Sequence, residues 1–299
     1  MKSRQRPAWA ARVATAAALG LAAGWLCGPG QSAEAGVLGG APAGRPAAAQ
    51  PASLVTDSGN ELRSKTGLPA PAMSGAMLGA NAEKQAVARQ FVAGMRSGVA
   101  SLVTCTSRSC RNRLPAARDL KPTQQAQITD YFCGPATVSE MLAEMGRHVS
   151  QRKAAWQLGT TPGGTDWSDS RGYPVPNVLN KNQKLNSYVA VGLPWTPTAS
   201  QITVYQTDLV TDINHNGGVP LAGNAYEVPG GPHLVGHPVN QTIYHWFDIR
   251  GYRRSGAITD YQDSVHGASS IGWAAAVPAY SSLPSATIVN IVGARGYDW

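Results

Sequence analysis

An α+β fold is predicted, with helices first and an antiparallel sheet after them. Two patterns predict it: three- and four-residue hydrophobic spacing dominates up to about residue 213, and short β-branched or aromatic runs between Gly-containing turns follow. Composition supports a buried core, since 43% of residues are hydrophobic and only 14% charged. The 33 Gly and 21 Pro of the 299 residues stay below the level that marks a disordered or collagen-like chain.

Residues 1–35 carry the parts of a secretory signal. A basic start (Lys2, Arg4, Arg6) precedes an apolar stretch over 13–26 and the small-x-small site Ala33-Glu34-Ala35. The stretch is too short to span a bilayer, and no later apolar run approaches the roughly 18 residues a span needs. Secretion is the expectation, so the remaining cysteines meet an oxidising compartment. Residues 36–79, rich in Ala, Pro and Gly, read as a linker or pro-region without a packed core. Ala86, Val87, Phe91, Val92, Met95 and Val99 then predict a helix over 81–103. A short loop follows, which Cys105 and Cys110 can close as a disulfide, completing a segment over 80–119.

The main domain is expected over 120–299. Gly134-Pro135 opens a helix with Val138, Met141, Leu142 and Met145 on one face, ended by Gly146. Ser150 caps a second helix running to Leu158, with Gly159 at its end. A Gly/Thr/Asp/Ser loop over 160–174 leads to a short helix over 176–181, and another helix is predicted over 203–213 with Asp208 and Asp212 on its surface. Strands are predicted over 219–222, 242–249 and 257–261. No internal repeat is visible, which excludes a solenoid or propeller.

Charge points to no nucleic-acid partner. The net charge is +8, of which the leader supplies +3 through Lys2, Arg4, Arg6 and Arg12 against Glu34. The remaining positives fall in clusters at 108–118 and 250–254, neither of which interleaves aromatics in a nucleic-acid-binding pattern, so they read as solvated surface. Four cysteines cannot build a zinc-ribbon array. No cofactor is expected. His233 and His237 have the spacing of a helical metal pair, but Pro232, Gly236 and Pro238 make that stretch a loop. Asp212 to Gly217 imitates the start of a calcium loop whose twelfth position, Gly223, is not the required Glu.

If Cys105 and Cys110 pair, Cys133 is left as the odd thiol of the mature chain. It begins a helix, where unsatisfied amides favour a thiolate. Gln127, six residues upstream, can donate its amide to an oxyanion. A nucleophilic cysteine needs an imidazole and a group to orient it. His245 lies in a predicted strand, and the hairpin into the next strand returns Asp263 to its level.

The order Gln127, Cys133-Gly134-Pro135-Ala136, His245, Gly251-Tyr252 and Asp263 resembles the stand-alone papain-like cysteine peptidases, and among them the bacteriocin-leader (double-glycine) peptidase type. The resemblance covers about residues 120–265. It implies a papain-like fold with Cys133 as nucleophile, His245 as general base and acid, Asp263 as orienter and Gln127 as oxyanion donor. Ser264 stands where family members usually carry Pro, which leaves Asp260 as the alternative orienter. The expected function is a secreted cysteine peptidase acting on a peptide or protein, with peptidoglycan as a further candidate partner. A cell-wall amidase or endopeptidase, a transpeptidase, and a silent peptide- or wall-binding module on the same scaffold are the alternatives.

Overall fold

The structure, a computed structural model, describes residues 70–97 and 114–299. The leader over 1–35, the linker up to residue 69 and the Cys105/Cys110 loop lie outside the described residues. No described helix is long and apolar enough to cross a membrane.

Helices precede most of the sheet, as the hydrophobic periods predict. The order is α1 (Gly75–Ser97), β1 (Arg118–Asp119), α2 (Cys133–Glu144), α3 (Gln151–Leu158), α4 (Pro174–Asn182), β2 (Ala190–Gly192) and α5 (Ala199–Asn214). There follow β3 (Leu221–Glu227), β4 (Ile243–Arg253), β5 (Ile258–Gln262), β6 (Tyr280–Pro284), α6 (Ser285–Ile291) and β7 (Gly296–Asp298). Local chemistry sets several boundaries. Ser150 accepts from Lys153 N–H at the start of α3, and Gly159 closes it at φ 74°. Thr198 and Gln201 form a reciprocal capping box on α5.

Every strand pairing is antiparallel, in the order β2-β7-β3-β4-β5-β6, with β1 also on β4. The C-terminal β7 inserts between β2 and β3, so the last residues of the chain, through Trp299, are buried. β3 is buried along its whole length and β4 along all but its last residue. One hydrophobic cluster joins α2, α3 and α4 to Trp246 and Ala222, and a second joins α5 and α6 to Phe247, Ile249 and Tyr261. Successive β4 residues Trp246 and Phe247 thus fall in different clusters, as the two-residue period of a strand requires.

Two expectations need correction. α1 begins at Gly75 and not near residue 81, and Met73 and Met77 pack against the core, so the end of the expected linker belongs to the folded unit. Asp208 and Asp212 are not a solvated edge, because α1 covers that face of α5. Asp212 accepts from Lys84 Nζ and from Asn186 Nδ2, each at 2.9 Å, and Asp208 accepts from the Tyr297 hydroxyl at 2.6 Å. Burial pushes both carboxyls up and the Lys84 ammonium down, against the pull of the Lys84–Asp212 pair.

Candidate active site

Cys133 is the first residue of α2, and Phe132 before it offers no side-chain cap. The opening turn of the helix therefore reaches Cys133 without a competing side-chain acceptor. Gly134 is required here by close packing and not by room for a ligand, because a Cβ would collide with the Thr165 side chain. That segment is fixed by Trp246, whose indole N–H donates to Thr165 O at 3.0 Å while its ring stacks on Trp167. Cys133 and His245 are both fully buried.

β4 carries His245, and Asp263 follows the end of β5 by one residue. The register places Asp248 opposite Gln262, which brings the Asp263 carboxylate within reach of the ring. His245 Nε2 and Asp263 Oδ1 are 2.9 Å apart, and Val265 N–H donates to the same oxygen at 2.9 Å. Nδ1 of His245 makes no close hydrogen bond, while Cys133 acts on the ring as a longer contact that favours its charged form. Burial alone would favour a neutral ring. The charge and hydrogen bond of Asp263, with the help of Cys133, outweigh it and raise the His245 pKa to about 10. Asp263 is driven the other way: burial opposes its charge, but the two histidines beside it hold it far below the usual carboxylate range.

Asp260 is engaged elsewhere, in an ion pair with Arg253 on the neighbouring strand. Of the two aspartates, Asp263 is the one in contact with the His245 ring. Gln127 is buried, and its Nε2 donates to Thr129 O at 2.7 Å. Ser264, the residue that departs from the expected Pro, donates its hydroxyl to Gln127 Oε1 at 3.1 Å and accepts Gln127 N–H at 2.8 Å. The residue after the orienting aspartate thus anchors the candidate oxyanion donor.

With this geometry the model of the Peptidase_C39 like family matches residues 118–278, more than half of the chain. The chain belongs to that family. Its α+β architecture fits the papain-like arrangement of these peptidases, and family membership supports a cysteine peptidase-like protein. A comparison with curated proteins gives no match.

Sequence reasoning missed the site's second histidine. His233 and His237 do lie in a loop, over residues 228–242, and they do not converge: His233 Nδ1 and Nε2 face the carbonyls of Gly231 and Gln241. His237 instead points inward. Its Nδ1 is 2.9 Å from Glu227 Oε2 and its Nε2 is 3.0 Å from Asp263 Oδ2. The signal available was Gly236, whose φ of 85° and close approach to Ala276 O only glycine accepts, and which turns the chain just before His237. Among the described residues, His237, His245 and Asp263 are the group whose ligand atoms lie close enough to hold a cation, within 4.8 Å of one another. The two contacts through Asp263 are hydrogen bonds of 3.0 and 2.9 Å, which link the three residues in a row.

Proposed function

We propose that the protein is a secreted cysteine peptidase that hydrolyses peptide bonds in a peptide or protein substrate. The observation that carries this reading is the placement of Cys133 at the start of α2 beside an imidazole whose far nitrogen is held 2.9 Å from a buried carboxylate. A ring that stays cationic through neutral pH suits a thiolate–imidazolium pair.

The thiolate attacks the substrate carbonyl carbon, forming a C–S bond and moving the carbonyl electron pair onto oxygen. Cys133 N–H and Gln127 Nε2 are the donors for that oxyanion. One Nε2 proton is committed to Thr129 O, and the second remains to donate. Collapse breaks the C–N bond, and His245 protonates the departing amine. Water then attacks the thioester with His245 as base, releasing the acid and the thiol. Secretion rests on the leader over 1–35.

The test is digestion of a peptide library of mixed sequence by the purified chain and by Cys133→Ala, with new termini read by mass spectrometry. Cleavage that vanishes in Cys133→Ala supports the proposal. Absence of any new terminus from the folded wild type, together with amine release from peptidoglycan fragments, replaces it with a wall amidase.

A further inference from the structure

A mechanism of Cys133, His245, Asp263 and Gln127 leaves His237 without a task, although it is buried with both ring nitrogens bonded. Its support is built in. Glu227 ends β3 and uses one oxygen for His237 and the other to accept Leu234 N–H at 2.8 Å, which fixes the loop that carries His237. Trp273 packs edge-on against the His237 ring at 4.8 Å. Asp263 divides its two oxygens between two imidazoles, Oδ1 to His245 and Oδ2 to His237, and the rings lie 5.3 Å apart. Glu227 and Asp263 are the ionisable groups bonded to His237, with the His245 ring 5.3 Å away; Asp263, Cys133 and, farther off, Glu140 of α2 are those acting on His245. The Tyr261 hydroxyl completes the surroundings and accepts from Val235 N–H.

We propose that Glu227 and His237 are positioning residues of the proposed peptidase: His237, kept charged by Glu227, holds the second oxygen of Asp263 and shares its charge, so that His245 can release its proton to the leaving amine. The inference rests on the peptidase reading for its purpose, not for its electrostatics. A lone buried carboxylate would hold the His245 proton too firmly, and an acid far above the working pH transfers its proton poorly. A second cation at 5.3 Å opposes that hold. Burial works against the His237 charge, but Glu227 and Asp263 outweigh it and raise that ring to about 9, so the second cation is present at neutral pH. Like charges at such a separation alter a proton affinity by about two pH units at an effective dielectric near 20.

The test uses the full chain labelled with ¹⁵N-histidine, in wild type, Glu227→Gln and His237→Gln, with His245 assigned by substitution. Both variants keep an amide able to hydrogen-bond where the charge was. His237 titrates near 9, ahead of His245 near 10, so the comparison is made at pH 7, where His237 is charged in the wild type: there the His245 Nε2–H resonance, which reports its hydrogen bond to Asp263, is expected downfield of wild type in both variants, and the wild type is expected to approach that position only above about pH 9. On a cleaved peptide, kcat should fall about three- to ten-fold with KM within two-fold of wild type. A His245 Nε2–H resonance at pH 7 that stays put or moves upfield in the folded variants overturns the inference, because a merely structural role would not strengthen that hydrogen bond. Glu227→Gln, the isosteric change, decides the matter if His237→Gln does not fold. If the downfield shift is found while neither wild type nor variant cleaves any peptide, the peptidase reading fails and the shared carboxylate stands. A wild-type His245 titrating near 6.5 contradicts both.

Discussion

Asp263→Asn removes one charge from the centre of a buried row and leaves its volume unchanged. In the wild type, His245 is lifted from 6.5 to about 10, and the charge of Asp263 is the largest influence in that direction. A rise of that size corresponds to roughly 5 kcal/mol of preference for the cation, at 1.36 kcal/mol per pH unit. Without the carboxylate the burial effect remains, so the ring is expected to titrate at or below 6.5. At pH 7.5 the protonated fraction then drops from nearly complete to less than about one-tenth. The asparagine also turns a donor toward one of two imidazoles that each needed an acceptor, costing about 1–3 kcal/mol for the unmet group. Turnover should fall by on the order of 10³–10⁴, the scale seen when a triad carboxylate is made an amide. Stability changes its pH dependence as well. Both histidines have raised folded-state values, so their contribution is complete below about 6.5 and is lost as pH rises through about 9 and 10. The variant should lose that slope. The assays are peptide cleavage and thermal unfolding at pH 6, 7.5 and 9. A folded variant within ten-fold of wild-type turnover, with the alkaline loss of stability intact, would refute the reasoning.

Other substitutions probe neighbouring parts. Gln127→Ala should leave alkylation of Cys133 unchanged and slow turnover on the order of 100-fold, while Ser264→Ala, which frees the Gln127 carbonyl, should show a smaller loss of the same kind; unchanged cleavage in both would remove Gln127 from the mechanism. Asp248 is buried beside Glu140 and Glu144, and burial raises it to about 8, so it weakens the fold as pH climbs from about 4 to 8. Asp248→Asn keeps an acceptor for Gln262 and should flatten that decline, worth on the order of 5 kcal/mol across the range, in denaturant unfolding at pH 5 and 8; an unaltered slope would contradict the assignment. Gly134→Ala forces Thr165 aside and should destabilise by about 1–3 kcal/mol, measured by the same unfolding.

The helices were legible because each carries its own punctuation. Ser150 and Gly159 bound α3 where the sequence places them, and Gly134-Pro135 marks the first turn of α2. The neighbourhood of Cys133, His245 and Asp263 was legible for a related reason: a helix start and a hairpin are local devices, and they carried these three residues. Residues positioned by distant contacts were not. A strand is predicted over 219–222, and β3 instead runs from Leu221 to Glu227 through Gly223-Asn224-Ala225, a continuation that covering on both faces supports. β7 is three residues long and is defined by the two strands that flank it. Asp208 and Asp212 looked exposed because nothing in α5 announces that α1, more than a hundred residues earlier, lies across them. His237 escaped notice since its partners, Glu227 and Asp263, stand 10 and 26 residues away on different strand ends.

The central claim is that Cys133 reacts as one half of an ion pair with His245. The direct measurement is the pH dependence of iodoacetamide alkylation at Cys133, mapped by mass spectrometry, in the wild type and in His245→Ala. The account predicts rapid labelling of the wild type at pH 5 that collapses in the mutant, because the imidazolium that supports the thiolate is gone. Labelling that rises only above about pH 8 and ignores the mutation would match an ordinary thiol and contradict the account.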